Sequence, residues 1–344
     1  MSQDLDATRG EAGDDVFRAS LFAQAAAIAA GNTTCDNTFV AVYGATLTVD
    51  GAHTFAGVVL HGGATATHTA TTAVTGYRLE WSIAGLLQID ASSKIDVCGR
   101  GYVGGRTLGN TTTGASTNRA GGSYGGLGYP SFGAANATYG DYRDPNELGS
   151  GGSTYNNGAA GGGLVRITAG SAVIDGQILA NGGNGWDWPY AAGSGGGIKL
   201  TVGTLSGGGW LRADGGTATH SNGDYAGPGG GGRIAVYFDT NAGFDLENRA
   251  TAHGGTGPSN SKPAAVGTVY LKQTGQPGQL RLVSHGAATG QWTPLGTATD
   301  TSFVTDLLVM QGAGVVAAPE HQMPVRATGV SLLGGAILTH RAGT

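Results

Sequence analysis

The residues of this chain that could do chemistry sit in glycine-rich stretches between alternating apolar runs. YGDYRDPNELG carries Asp141, Asp144 and Glu147 beside Arg143, and two later stretches carry Asp187 and, with His220, Asp224. Two carboxyl groups ~5–10 Å apart can hydrolyse a glycosidic bond, one acting as acid and the other as nucleophile or base. Neighbouring strands lie ~4.8 Å apart, so acids on adjacent loops could reach that separation. A β-eliminating lyase would instead need a Lys, Arg or His base near a uronate neutraliser, and Arg119, Arg143 and His220 are what the sequence offers. None of these spacings is a catalytic motif, and isolated loop acids commonly serve turns. No catalytic set is therefore assigned; Asp141, Asp144 and Asp187 are the acids that would carry one.

Aromatic residues share the same stretches. Eight of the twelve tyrosines lie there (102, 124, 129, 139, 142, 155, 190 and 225), together with Trp186 and Trp188. Aromatic rings offer flat apolar area at little rotamer entropy, and Asn, Ser and backbone groups add adaptable hydrogen bonds. Sugars present CH faces and hydroxyls that match both. The candidate ligand contacts are Tyr124, Tyr129, Tyr142, Trp186, Trp188, Tyr190 and Tyr225. The competing reading is that these rings pack the loops down onto the body beneath.

Cys98, Asn181, Asp214 and His253 each precede a closing glycine, as does His285 before Gly286. A Cys/Asp/His column could bind metal, but Asn, Asp and Gly are also what tight left-handed turns select. Turn chemistry is the expectation, and no metal site is assigned. GSGGG and GGGG lack the Walker spacing and the βαβ context of phosphate loops; their expected use is close backbone approach. No cofactor is expected. Calcium is the one ion the loop carboxylates and carbonyls would suit, although no DxDxDG loop is present.

The elements that must position these residues repeat. GGGLVRITAGSAVIDGQILANGG, GSGGGIKLTVGTLSGGGWLRADGG and GGGGRIAVYFDTNAGFDLENRATAHGG share a plan: glycines, an alternating run, a small-residue turn, a second short strand, then Gly-Gly. Their cores are 21, 20 and 24 residues long (163–183, 197–216, 232–255). Units this thin must stack to bury a face, and two short strands per unit point to a parallel β-helix. Parallel crossovers are nearly always right-handed. The expected fold is all-β: a right-handed parallel β-helix (solenoid) with long Gly/Tyr-rich loops on one edge.

The spacing of Phe17, Leu21, Ala25 and Ile28, after Asp14 and Asp15, predicts a helix over 14–30. Such a helix would cap the first coil. Residues 1–34 are thus a polar lead-in and capping helix, and 35–286 the β-helix, with one further coil expected over 267–286. Residues 287–344 form further coils that begin a second array, because VVLHGGATATH (58–68) recurs as VSLLGGAILTH (330–340). The insertions, 101–160, 184–194, 217–228 and 256–266, all fall between a closing Gly pair and the next opening glycines. Insertions at one repeat position project from one edge, often the binding face.

Glycine is 67 of 344 residues without a G-X-Y period, which excludes collagen; the 40% hydrophobic share in alternating runs argues against disorder. The formal net charge of −5, with no Lys/Arg cluster, argues against a nucleic-acid partner. No run approaches the ~20 apolar residues of a membrane span. SLFAQAAAIAA (20–30) follows acidic rather than basic residues, unlike a secretory signal. Cys35 and Cys98 could be bridged or free.

GRGYVGG, GGSYGGLGYPSF, YGDYRDPNELGSGG, GGGLVRITA, GSGGGIKL and GGGGRIAVYF together resemble a glycine-rich β-helix module. This module occurs in large bacterial surface and secreted proteins, including those labelled as adventurous gliding motility proteins and adhesin-like proteins. The resemblance covers residues 35–275. It implies an extracellular or cell-surface location and adhesion or matrix contact, and brings no catalytic residues. The expected function is a non-catalytic adhesive or structural module that binds polysaccharide or cell-surface glycan, or that associates end-to-end or laterally into an array or filament. The alternatives are a tailspike-like polysaccharide lyase or glycoside hydrolase, and a plain spacer.

Overall fold

The computed structural model describes residues 20–21, 26–153, 158–185, 190–219, 226–257 and 262–340. The chain is nearly all-β, and its sheets are built chiefly from parallel pairs of strands contributed in sequence order. The alternating runs become long strands, Leu79–Ile89, Leu164–Ile174, Gly197–Ser206 and Arg233–Asn241, paired parallel with one another. After a turn, each unit gives a short strand to a second sheet: Lys94–Asp96, Gln177–Leu179, Trp210–Arg212 and Ala250–Thr251, again parallel and in register.

Period-two alternation turns every second residue into the space between the sheets. Identical positions therefore stack. Trp81, Ile167, Leu200 and Val236 form one column, and Ile95, Ile178, Leu211 and Ala250 another, all within one buried apolar cluster. The outward residues of the same strands are Glu80, Arg166 and Lys199, which keeps charge off the core.

Two expectations are corrected. Where a helix was predicted over 14–30, the described residues include two strands, Ser20–Leu21 and Ala26–Ile28, paired with Val40–Ala41 and Leu47–Val49. An alanine-rich apolar run suits either state, and pairing with the adjacent strands outweighs helix propensity. Residues 267–286 are not one more coil but a hairpin. Thr268–Gln273 continues the first array, and Gln279–Val283 turns back antiparallel to it. The second array therefore starts at Gln279, ahead of residue 287. It runs through Phe303–Gln311 to Val325–Leu333, with its own three-stranded sheet and its own core of Leu280, Leu282, Leu308 and Met310. Of the two states left open for the cysteines, Cys35 and Cys98 are both free thiols.

The repeated motif holds at the level of backbone. Gly62 and Gly63 have φ of 65° and 86°, and Gly334 and Gly335 have 62° and 85°. The two Gly-Gly pairs thus make the same left-handed turn between strands in the two arrays, a conformation open chiefly to glycine.

Candidate functional site

The insertions all leave the short-strand sheet and return to the long-strand sheet, as expected from their place in the repeat. Among the described residues they contribute no strand to a sheet. Successive amides along 192–195 donate in different directions: Ala192 to Gly227 O, Gly193 to Gly183 O, Ser194 to Ser150 O, and Gly195 back to the first neighbour at Gly230 O. Segment 227–232 behaves alike. Gly227 and Gly230 donate to Arg119 O and Gly122 O, Gly229 and Gly232 to Gly216 O and Ala213 O, and Gly231 to Ala265 O. This three-residue period is that of a polyproline-II chain, which has no internal hydrogen bonds and must satisfy its amides sideways. A β-strand would bond in only two directions.

Glycine is what lets these segments approach from every side. A Cβ on Gly196 would lie 2.0 Å from Gly163 O, and one on Gly163 would lie 2.3 Å from His68 Nε2. The result is a solid layer of glycine backbone on the flank of the sheets. Its polar centre is Asn136, buried in the large loop. Asn136 Nδ2 donates to Ser123 O (2.9 Å) and Ser150 Oγ (3.1 Å), and its Oδ1 accepts the Ser123 amide (2.8 Å). No sequence pattern singled out Asn136.

Along this layer the loop stems are aligned. Gly185 and Ala218 form a parallel bridge, Ala218 N donates to Thr256 O at 2.9 Å, and Thr217 N donates to Asn184 Oδ1 at 2.8 Å. The segments that follow these stems hold Trp186, Asp187 and Trp188, and His220, Asp224 and Tyr225. All six lie outside the described residues.

The remaining predicted residues divide. Tyr124 is fully buried, its ring centroid 4.8 Å from that of Tyr139, and burial pushes its hydroxyl pKa well above the tyrosine range. Tyr142 is buried between Tyr270 and Phe303, both at 5.4 Å, and its hydroxyl donates to Val304 O at 3.0 Å. Neither ring has a face open to stack on a sugar, so for these two the packing reading replaces ligand contact. Tyr129 and Tyr190 are half-buried.

The acids are also occupied. Asp144 accepts from Arg166 Nη1 at 2.7 Å and Lys199 Nζ at 2.8 Å. Burial pushes its pKa up, but the bonds from Lys199 and Arg166 outweigh burial and hold it below the carboxylate range. Asp141 Oδ1 accepts the Arg143 amide at 2.8 Å, an Asx turn that reverses the loop. Asp144 is thus kept ionised and Asp141 serves the backbone. Glu147 is the carboxyl shifted the other way: burial raises its pKa against the opposing bond from Tyr102 Oη at 3.2 Å.

The column before the closing glycines stacks as expected but for a different reason. Cys98, Asn181, Asp214 and His253 do not adopt left-handed backbone; only His285 does, with φ 47°. Their side chains instead tie one coil to the next. Asn181 Oδ1 accepts the Asp214 amide at 2.8 Å, and Asp214 Oδ1 accepts the His253 amide at 2.7 Å. His253 Nε2 and His285 Nδ1 are 3.2 Å apart. Among the described residues, no group of three or more His, Cys, Asp or Glu side chains is placed to hold a metal ion, and no helix is long and apolar enough to cross a membrane. No protein-family model, curated protein or solved structure matches the chain.

Proposed function

We propose that the chain is a right-handed parallel β-helix whose glycine layer presents loops for non-catalytic polysaccharide binding at the cell surface or outside the cell. The fold reading is supported by the in-register parallel stacking of successive units in both sheets and by the handedness rule for parallel crossovers.

One observation carries the binding reading. The stems of the aromatic loops are locked side by side on a backbone layer bonded in three directions. A rigid base that aligns Trp- and Tyr-bearing loops lowers the ordering cost of gripping an extended polymer. The hydrolase reading needs one carboxyl able to give up a proton, and Asp144 is held ionised between two cations.

Native electrophoresis through gels cast with neutral and acidic polysaccharides tests this reading. Retarded migration without a cleared zone is expected, and Trp186→Ala with Trp188→Ala should restore free mobility. A cleared zone overturns the non-catalytic reading.

Association between copies is the second reading. Val325–Leu333 is the last strand of its sheet among the described residues, and Val330 and Leu332, which continue the core columns of Leu308 and Met310, are 52% and 46% exposed. An apolar edge strand is a template for pairing. Light scattering should find an assembly that Val330→Lys dissolves; a monomer at all concentrations removes this reading.

A further inference from the structure

Between the large loop and the second array lies a cavity of about 380 Å³, within the ~300–1,000 Å³ range of small-ligand sites. Its lining includes Arg233, Asp141, Tyr142, Asp300, Ser302 and Phe303. Arg233 stands apart. It is 3% exposed, yet its hydrogen-bond partners among the described residues are neutral: Tyr139 O at Nε (3.0 Å), Thr268 Oγ1 at Nη1 (3.2 Å) and Tyr124 O at Nη2 (3.5 Å).

A buried cation is costly unless an anion or a full set of hydrogen bonds accompanies it. A guanidinium carries five N–H donors, one on Nε and two on each terminal nitrogen. The three bonds leave one N–H on Nη1 and one on Nη2, two donors still to be met by acceptor oxygens such as those of a carboxylate. The rest of the lining suits a sugar ring. Pro294, Leu295 and Phe303 supply apolar surface and Ser302 a hydroxyl. Asp141 and Asp300 each spend one carboxylate oxygen on a turn amide, of Arg143 and Thr297, which leaves the other oxygen to accept ring hydroxyls.

The geometry points to a uronate, the carboxylate-bearing unit of an acidic polysaccharide, as the ligand of this cavity, with Arg233 as its carboxylate anchor. This inference rests on the polysaccharide-binding reading and gives it a chemical class and a second place on the molecule, away from the tryptophan loops.

Titration calorimetry with sodium glucuronate and with glucose on the full chain tests it. Glucuronate should give saturable heat, weakened by added salt, and glucose should bind at least about tenfold more weakly, because it cannot make the charge-assisted bonds. Arg233 also holds two loop carbonyls, so Arg233→Gln could unfold the loop. Ser302→Trp, at an exposed position, obstructs the cavity and leaves those bonds intact. It should abolish the heat with an unchanged circular dichroism spectrum.

Absence of saturable heat, equal binding of the two sugars, or glucuronate binding that survives Ser302→Trp overturns the inference. The two readings separate in the gels. Polysaccharide retardation that Ser302→Trp leaves intact keeps the adhesive reading and removes this cavity from it. Glucuronate binding without retardation by any polysaccharide keeps the cavity and removes the adhesive reading.

Discussion

His68 accepts the backbone N–H of Leu164 on its Nε2 at 3.3 Å, joining residues 96 positions apart. Its Nδ1 donates to Thr69 O at 2.7 Å, so the buried ring is neutral, protonated on Nδ1 alone. Leu164 begins the first long strand after the large insertion, and this imidazole is therefore a pin between the early coils and the glycine layer.

That pin sets a pH dependence. Burial lowers the pKa of His68 to about 4, against a smaller opposing effect of the Thr69 carbonyl. The unfolded value is ~6.5, so the unfolded chain binds the extra proton first. The contribution of the neutral ring is fully present above pH ~6.5 and is lost as pH falls toward 4, by about 3 kcal/mol in all. Urea midpoints should drop across that window in the wild type and drop less in His68→Gln, whose amide can both donate and accept. Parallel pH profiles for the two proteins would sink this assignment.

The glycine layer makes an opposite forecast for two glycines close in sequence. Gly196→Ala places a methyl 2.0 Å from a backbone oxygen, whereas Gly208→Ala meets nothing within 4 Å. The first should lose about 3 kcal/mol or more, since backbone cannot repack as a side chain does; the second should change stability by less than about 0.5 kcal/mol. Denaturation of both variants checks the pair. Similar losses at the two sites would mean that the layer is loose.

Asp214 links three backbone levels: its own amide reaches Asn181 Oδ1, its Oδ1 takes the His253 amide, and its Oδ2 takes the Thr251 hydroxyl at 3.1 Å. Asp214→Ala strands the half-buried His253 amide and the buried Thr251 hydroxyl, and should cost about 1–3 kcal/mol. Asp214→Asn keeps an acceptor oxygen and should cost less. Faster hydrogen exchange at the His253 amide in the alanine variant alone is the expected signature, and unchanged exchange there would disprove the ladder.

Much of this was legible because strands report themselves locally. Alternation at 164–174 and 197–206 placed the core face, and the shared Gly-Gly endings placed Asn181, Asp214 and His253 in one column. What stayed hidden depends on distant or non-periodic contacts. The reversal between Thr268–Gln273 and Gln279–Val283 changes strand direction without changing composition. Arg233 pairs with Gly197 and shares the strand face of Ala235, the partner of outward Lys199, yet the large loop folds over it. Tyr124 and Tyr142 carried the composition of a binding loop, and the glycines around them allow the chain to close over both rings. Asn136 belongs to no repeat, and the repeat that ends on His68 carries no sign of its partner 96 residues away, so only the folded chain reveals what they hold.

Asp144 gives the sharpest test between chemistry and structure in the large loop. As a catalytic acid it would need a pKa near the working pH, whereas Lys199 and Arg166 hold it ionised. Its side chain is 50% exposed, against 18% for Arg166 and 23% for Lys199. Water screens such a partly exposed cluster, and the pair is worth no more than about 1 kcal/mol. Asp144→Asn should therefore lower the denaturation midpoint slightly, and added salt should shrink the difference. It should leave polysaccharide retardation unchanged, because the carboxylate faces strand cations rather than a ligand. Wild-type gels that clear a polysaccharide which Asp144→Asn leaves intact would reverse the assignment and return this loop to the hydrolases.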